Sequence, residues 1–190
     1  MNGKQLQRSI SVQSLKGSVP LIIEYLVLFG IGVIAILLHA RLRTPLNIPG
    51  HHGLEFMALM MAGRVASRIK WASSISSLGI GLILLFPVFG FKDPFMGINY
   101  MFPGLFIDLF YNLTKNYSRQ LLILALISGI AYLTIPLSRL CIHFITGYPY
   151  TSFLKHGYAI PVFGYLVFGM AGGFTGAGIT RIVMGKIRKK

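Results

Sequence analysis

In this 190-residue chain hydrophobic residues make up 54% and charged residues only 12%, whereas a water-soluble domain usually carries about a quarter of its residues charged. The formal net charge of +14 would suit a nucleic-acid binder, but the basic residues stand at the ends of apolar runs and at both termini, where membrane topology places them. Nucleic acid is therefore not an expected partner, and a single cysteine, Cys141, excludes an internal disulfide and a Cys-x-x-Cys metal site.

Residues 1–18 are polar and basic, with Lys4, Arg8 and Lys16, and are expected to lie at the cytoplasmic membrane surface. They lack the apolar core of a signal peptide, so the first apolar run is expected to stay as an anchor. That run covers 19–40, with Pro20 suited to a first helical turn. Further spans are predicted at 53–69, 73–91, 95–113, 120–144 and 158–184, leaving 185–190 as a basic cytoplasmic tail. Each is near the roughly 20 residues that cross a bilayer as helix. Turn chemistry separates them at 47–53, 92–94, 112–118 and 147–149. The predicted fold is all-α: a multi-pass bundle of six transmembrane helices in the cell (inner) membrane.

Lys and Arg set the orientation. With a cytoplasmic N-terminus, twelve of the 18 fall inside and four outside (Arg41, Arg43, Lys92 and Lys155), while Arg64 and Arg139 lie within spans. Both termini are therefore expected in the cytoplasm, and the 41–53 loop outside. No internal repeat of the kind that builds inverted-repeat transporters is visible. The glycines of the sixth span, Gly169, Gly172, Gly173, Gly176 and Gly178, read as a surface for close helix packing, or as one that bends or approaches a ligand.

The segment from Arg41 to Glu55 carries Pro45, Pro49, Gly50, Gly53, His51, His52 and one of only four acidic residues, more polar chemistry than a simple connection needs. His51, His52 and Glu55 fall on one helical turn and suit zinc, nickel or cobalt, with Asp108, His143 or His156 as a further ligand. A structural alternative is that Glu55 complements the positive end of a helix. Asp108 lies deep in the fourth span and needs a partner, a proton or a cation; Arg64 and Arg139 are the candidate partners. Glu24 reads as an interfacial carboxylate. Aromatic residues near 86–102 and 148–158 fall on the outer side with Asn47, Asn99 and His156, and together suggest an apolar-walled, sparsely polar pocket for a small molecule. No nucleophile elbow and no phosphate-binding loop is present, so neither acyl-transfer catalysis nor nucleotide hydrolysis is expected.

The phrases from Pro49 to Arg64 and from Gly104 to Phe110, together with six short spans and a polar outer loop after the first, resemble substrate-binding S components of energy-coupling-factor transporters and their metal-uptake relatives. The resemblance implies a non-enzymatic specificity subunit that captures a vitamin-like compound or metal ion outside, with a membrane coupling protein and ATPase subunits as partners. Asn47, His51, His52, Glu55, Asn99, Asp108 and His156 are its expected contacts, with Arg64 pairing an acidic residue and a divalent metal at His51, His52 and Glu55 as a possible cofactor. Two departures stand out. The Ala-xxx-Ala expected in the first helix occurs instead as Ala62 and Ala66, and Asn2 stands where metal-uptake relatives carry histidine. A membrane-embedded metal-dependent hydrolase and a non-catalytic assembly protein are the alternatives.

Overall fold

The computed structural model describes residues 3–41, 48–86, 93–114 and 120–187, with side chains from Pro20 onward except that of Ala40. The described residues form seven helices and no strand: α1 (Gly3–Arg41), α2 (Gly53–Ala66), α3 (Ala72–Leu84), α4 (Met96–Leu113), α5 (Leu121–Thr146), α6 (Thr151–His156) and α7 (Ala159–Ile187). Three segments are long and apolar enough to cross a membrane: Pro20–His39, Leu121–Thr146 and Ala159–Ile187.

Two elements differ from expectation. Pro20 lies inside α1, which begins at Gly3; the preceding residues include Gln, Leu, Lys and Arg, good helix formers, and the proline ring lies on an exposed surface. A short helix, α6, lies between the 147–149 turn and the sixth predicted span, where no element was expected. It follows Gly147, whose left-handed backbone (φ 71°) ends α5 while its amide donates to the His143 carbonyl at 2.8 Å.

The helices α1 to α5 and α7 alternate in direction, so the C-terminal ends of α1, α3 and α5 lie with the N-terminal ends of α2, α4 and α7. α2 is central: it packs against α1, α3, α4, α5 and α7, and Phe56, Met57, Met60 and Met61 on it are fully buried. At 14 residues α2 is roughly 21 Å long, shorter than the hydrocarbon core, and its surroundings are protein rather than lipid. Large apolar side chains on the outside, such as Leu26, Leu122, Phe163 and Ile182, are exposed, as a lipid-facing surface requires.

Close helix approach explains the glycines. A Cβ on Gly172 would meet the Leu54 and Gly53 carbonyl oxygens of α2, one on Gly169 would meet Tyr132 of α5, and Gly176 faces the Ala58 backbone. The α7 stripe is thus a packing surface against α2 and α5. Polar side chains also bridge helix seams: the Ser128 hydroxyl of α5 donates to the Gly169 carbonyl of α7 at 2.8 Å, and that of Ser76 of α3 to the Leu28 carbonyl of α1 at 2.8 Å. With lipid offering no hydrophobic drive between helices, tight packing and such bonds hold the bundle together.

Candidate functional site

Two polar clusters occupy opposite ends of the bundle. At the end where α2 finishes and α3 begins, the Arg64 guanidinium meets Asp108 at 3.1 Å and also donates to the carbonyls of Ile69 and Lys70 at 2.6 and 2.9 Å. The Asp108 carboxylate accepts the Ser73 and Ser74 amides at 3.2 and 2.7 Å and the Ser74 hydroxyl at 2.7 Å. Ser73 and Ser74 open α3, so Asp108 acts as an anion at a helix N-terminus. Arg64 also lies over the Tyr111 ring, 4.4 Å from its centroid. Asp108 is fully buried and its bonding is completed by protein groups. Nearby, the Ser67 hydroxyl donates to Glu24 at 2.6 Å, which ties Glu24 to the end of α2.

At the other end, the segment before α2 turns at Gly50 (φ 87°), where a Cβ would collide with the Tyr165 backbone. This turn brings His51 and His52 together with their rings 3.8 Å apart. His52 meets His39, from the end of α1, at 4.8 Å, and the Tyr100 hydroxyl of α4 bonds His39 Nε2 at 2.9 Å. Beyond Tyr100 come Phe56 at 5.6 Å, Tyr132 of α5, and Tyr165 of α7 stacked on Tyr132 at 4.6 Å. Arg139 of α5 closes the ring: its Nη1 donates to the Tyr165 hydroxyl at 3.1 Å, and its guanidinium lies 5.4 Å from the Tyr150 centroid and 6.0 Å from that of Tyr100. Five helices and two loops therefore converge on a single aromatic, imidazole and guanidinium cluster.

Much of the bonding capacity there is unused. His39 Nδ1, His51 Nε2, Asp93 Oδ2, Asn99 Nδ2, Arg139 Nε and the hydroxyls of Tyr132 and Tyr150 are buried without a hydrogen-bond partner, whereas buried polar groups are normally paired. Burial raises the Tyr150 phenol above its ordinary pKa, while the Asn99 amide, close enough to interact with it, acts in the opposite direction. Two shallow clefts open beside the cluster. One, of about 270 Å³, is lined by Asp93, Arg139 and residues 148–152. The other, of about 260 Å³, is lined by Ile48, Pro49, Thr151, Ser152, Lys155 and His156.

The structure thus brings His51, His52, Glu55 and Asn99 into one neighbourhood, with His156 at its rim. Asn47 lies outside the described residues. Asp108 lies at the far end with Arg64, and Arg139 faces Asp93 at 3.9 Å rather than Asp108. Among the described residues no three His, Cys, Asp or Glu side chains are arranged to hold a metal ion. His51 Nδ1 donates to the Ile48 carbonyl at 2.7 Å and His52 Nδ1 to Glu55 at 3.0 Å, so these nitrogens and the carboxylate are turned toward protein partners. His143, the other suggested ligand, bonds the Tyr148 carbonyl at 2.8 Å through Nδ1. The described residues therefore do not form the expected divalent-metal site.

Sequence reasoning missed His39, Asp93, Tyr132 and Tyr165 as members of the cluster. Only His39 carried a signal, an imidazole ending an apolar run; the tyrosines read as ordinary span residues, and Asp93 as part of a Lys-Asp-Pro turn.

Apolar helices of spanning length, a lipid-facing exterior and a polar cluster confined to the ends fit a helical membrane protein. Comparison of the chain with protein-family models, with curated proteins and with solved structures finds no match.

Proposed function

We propose that this protein is a six-span, multi-pass subunit of the cell membrane that captures a small organic solute from outside, at the His39–Arg139 cluster, and hands it to partner subunits for ATP-driven uptake. In this reading α1 to α5 and α7 are the spans, α6 lies at the outer surface, and both termini are cytoplasmic. The short α2, α3 and α4 complete the bundle with the long apolar helices, and the distribution of Lys and Arg supports an outer position for the cluster.

The observation that carries the proposal is the convergence of seven buried polar atoms that make no hydrogen bond on an aromatic-walled end of the bundle. Burying such atoms is costly without a partner, and mixed donors and acceptors between aromatic walls are what a small-molecule site contains. The chain carries no nucleotide-binding loop, so energy for uptake would have to come from separate ATPase subunits through a membrane coupling protein. That pairing follows the resemblance to energy-coupling-factor S components.

Affinity purification from its native membrane tests this directly. The protein should retain a second integral membrane protein and an ATPase pair, and its deletion should abolish accumulation of one solute. Isolation of the protein alone, with solute accumulation intact in the deletion strain, would overturn the proposal.

A further inference from the structure

The cleft beside Arg139 holds a long ion pair whose donor and acceptor face one another without a hydrogen bond between them. Asp93 is split in role: its Oδ1 accepts the Phe95 amide at 2.9 Å just before α4, while its Oδ2 is buried without a hydrogen bond. Arg139 is divided in the same way, with Nη1 committed to Tyr165 and Nε buried without a partner. Arg139 Nη2 and Asp93 Oδ2 stand 3.9 Å apart, too far for a hydrogen bond. Both side chains line the same cleft of about 270 Å³, with Tyr148 and Tyr150 as its aromatic wall, their rings 5.0 Å apart. Tyr150 is only 6% exposed.

This pairing selects among ligands by charge. An anion drawn to Arg139 would be set against the Asp93 carboxylate, and a cation drawn to Asp93 against the guanidinium. A neutral group with a carbonyl and an N–H side by side on one edge satisfies both. The volume is small beside that of most drug-sized sites, so one or two fused rings fill it, and the tyrosine faces favour a flat ring.

Resting on the solute-capture reading above, we propose that the cleft takes a neutral planar heterocycle with a lactam or cyclic-urea edge. Its carbonyl accepts from Arg139 Nε, its ring N–H donates to Asp93 Oδ2, and its face lies against Tyr148 and Tyr150.

Calorimetric titration of the purified protein with four probes tests the class: 2-benzimidazolinone, its N,N′-dimethyl derivative, benzoate and phenylalanine. The expected result is binding of 2-benzimidazolinone, with at least tenfold weaker binding of the dimethyl compound, which keeps the ring and carbonyl but has no N–H. Asp93→Asn and Arg139→Lys should each weaken 2-benzimidazolinone at least tenfold. The dimethyl comparison uses unaltered protein, so a folding defect in either variant leaves the test intact. Equal binding of the two benzimidazolinones, tighter binding of benzoate or of the zwitterionic phenylalanine, or no binding of 2-benzimidazolinone overturns the ligand class. Failure of solute capture itself is read separately, from partner co-purification and uptake.

Discussion

Arg64 on α2 and Asp108 on α4 form a buried ion pair at 3.1 Å that also fastens the start of α3, because the same carboxylate receives two amides and a hydroxyl from Ser73 and Ser74. Three helices are thereby fixed to one another at a single point. This makes Asp108, expected from sequence to touch a solute, a group whose bonds are already filled by protein at the end of the bundle away from the histidines.

Removing one partner of such a pair leaves the other charge buried and alone, which costs roughly 3–5 kcal/mol. Asp108→Ala should therefore lower the thermal unfolding midpoint of the purified protein sharply and reduce its membrane yield. The double variant Arg64→Met with Asp108→Leu should recover part of the loss, because no lone charge remains. An unchanged midpoint in Asp108→Ala would show that the pair contributes nothing to holding α2, α3 and α4.

The helices were readable from sequence because hydrophobic run length is a local property: five of the six apolar runs overlap helices whose starts lie within about two residues of expectation, as at 95–113 against Met96–Leu113, although only three helices among the described residues are long and apolar enough to cross a membrane. The first departs because the basic residues before Pro20 continue the helix, which no apolar signal marks. The Arg64–Asp108 pair was half legible, since a lone carboxylate in a span demands a partner but sequence could not choose between Arg64 and Arg139. The His39–Arg139 cluster was legible at its loop, where His51, His52 and Glu55 stand close in the chain, and in the aromatic residues near 86–102 and 148–158 expected beside it with Asn99 and His156. Tyr132 and Tyr165 reach it from distant spans through helix packing, and spacing along the chain does not encode which face meets which.

The packing of α7 gives a paired test. A Cβ on Gly172 would lie 2.5 and 2.6 Å from the Leu54 and Gly53 carbonyl oxygens, backbone atoms that cannot turn aside, whereas one on Gly178 meets nothing within 4 Å. Gly172→Val should push α7 off α2, destabilising the protein by about 1–3 kcal/mol or more, in the range of overpacked cores. Gly178→Val should leave the unfolding midpoint within about 0.5 kcal/mol of the parent. Similar midpoints for the two variants would remove close α2–α7 contact as the reason for the glycines.

Orientation can be read by chemical labelling. Lys155 near the histidine cluster and Arg68 beyond the end of α2 are both exposed and belong to opposite ends of the bundle. In a Cys141→Ser background, a membrane-impermeant maleimide applied to intact cells should label Lys155→Cys and leave Arg68→Cys untouched until the cells are opened. The reverse pattern would put the cluster on the cytoplasmic side and end the case for capture from outside.

Glu55 separates site order from fold stability. Its carboxylate accepts from His52 Nδ1 at 3.0 Å, and both side chains are 22% exposed, so the pair is reachable by water and contributes little to stability. Its role in the geometry is orientation: it holds the His52 ring between His51 and His39, 3.8 and 4.8 Å away. His51 in turn directs a free Nε2 into the protein because its Nδ1 donates to Ile48. Glu55→Ala releases His52, and the histidine stack loses its fixed spacing. The unfolding midpoint should move by less than about 1 kcal/mol, while accumulation of the transported solute by cells should fall about tenfold, the effect of losing one well-placed hydrogen bond to a charged group. Glu55→Gln, which keeps an oxygen to accept from His52, should restore most of it. Full uptake in Glu55→Ala would show that the histidine stack has no part in capture and would confine the site to the cleft beside Arg139.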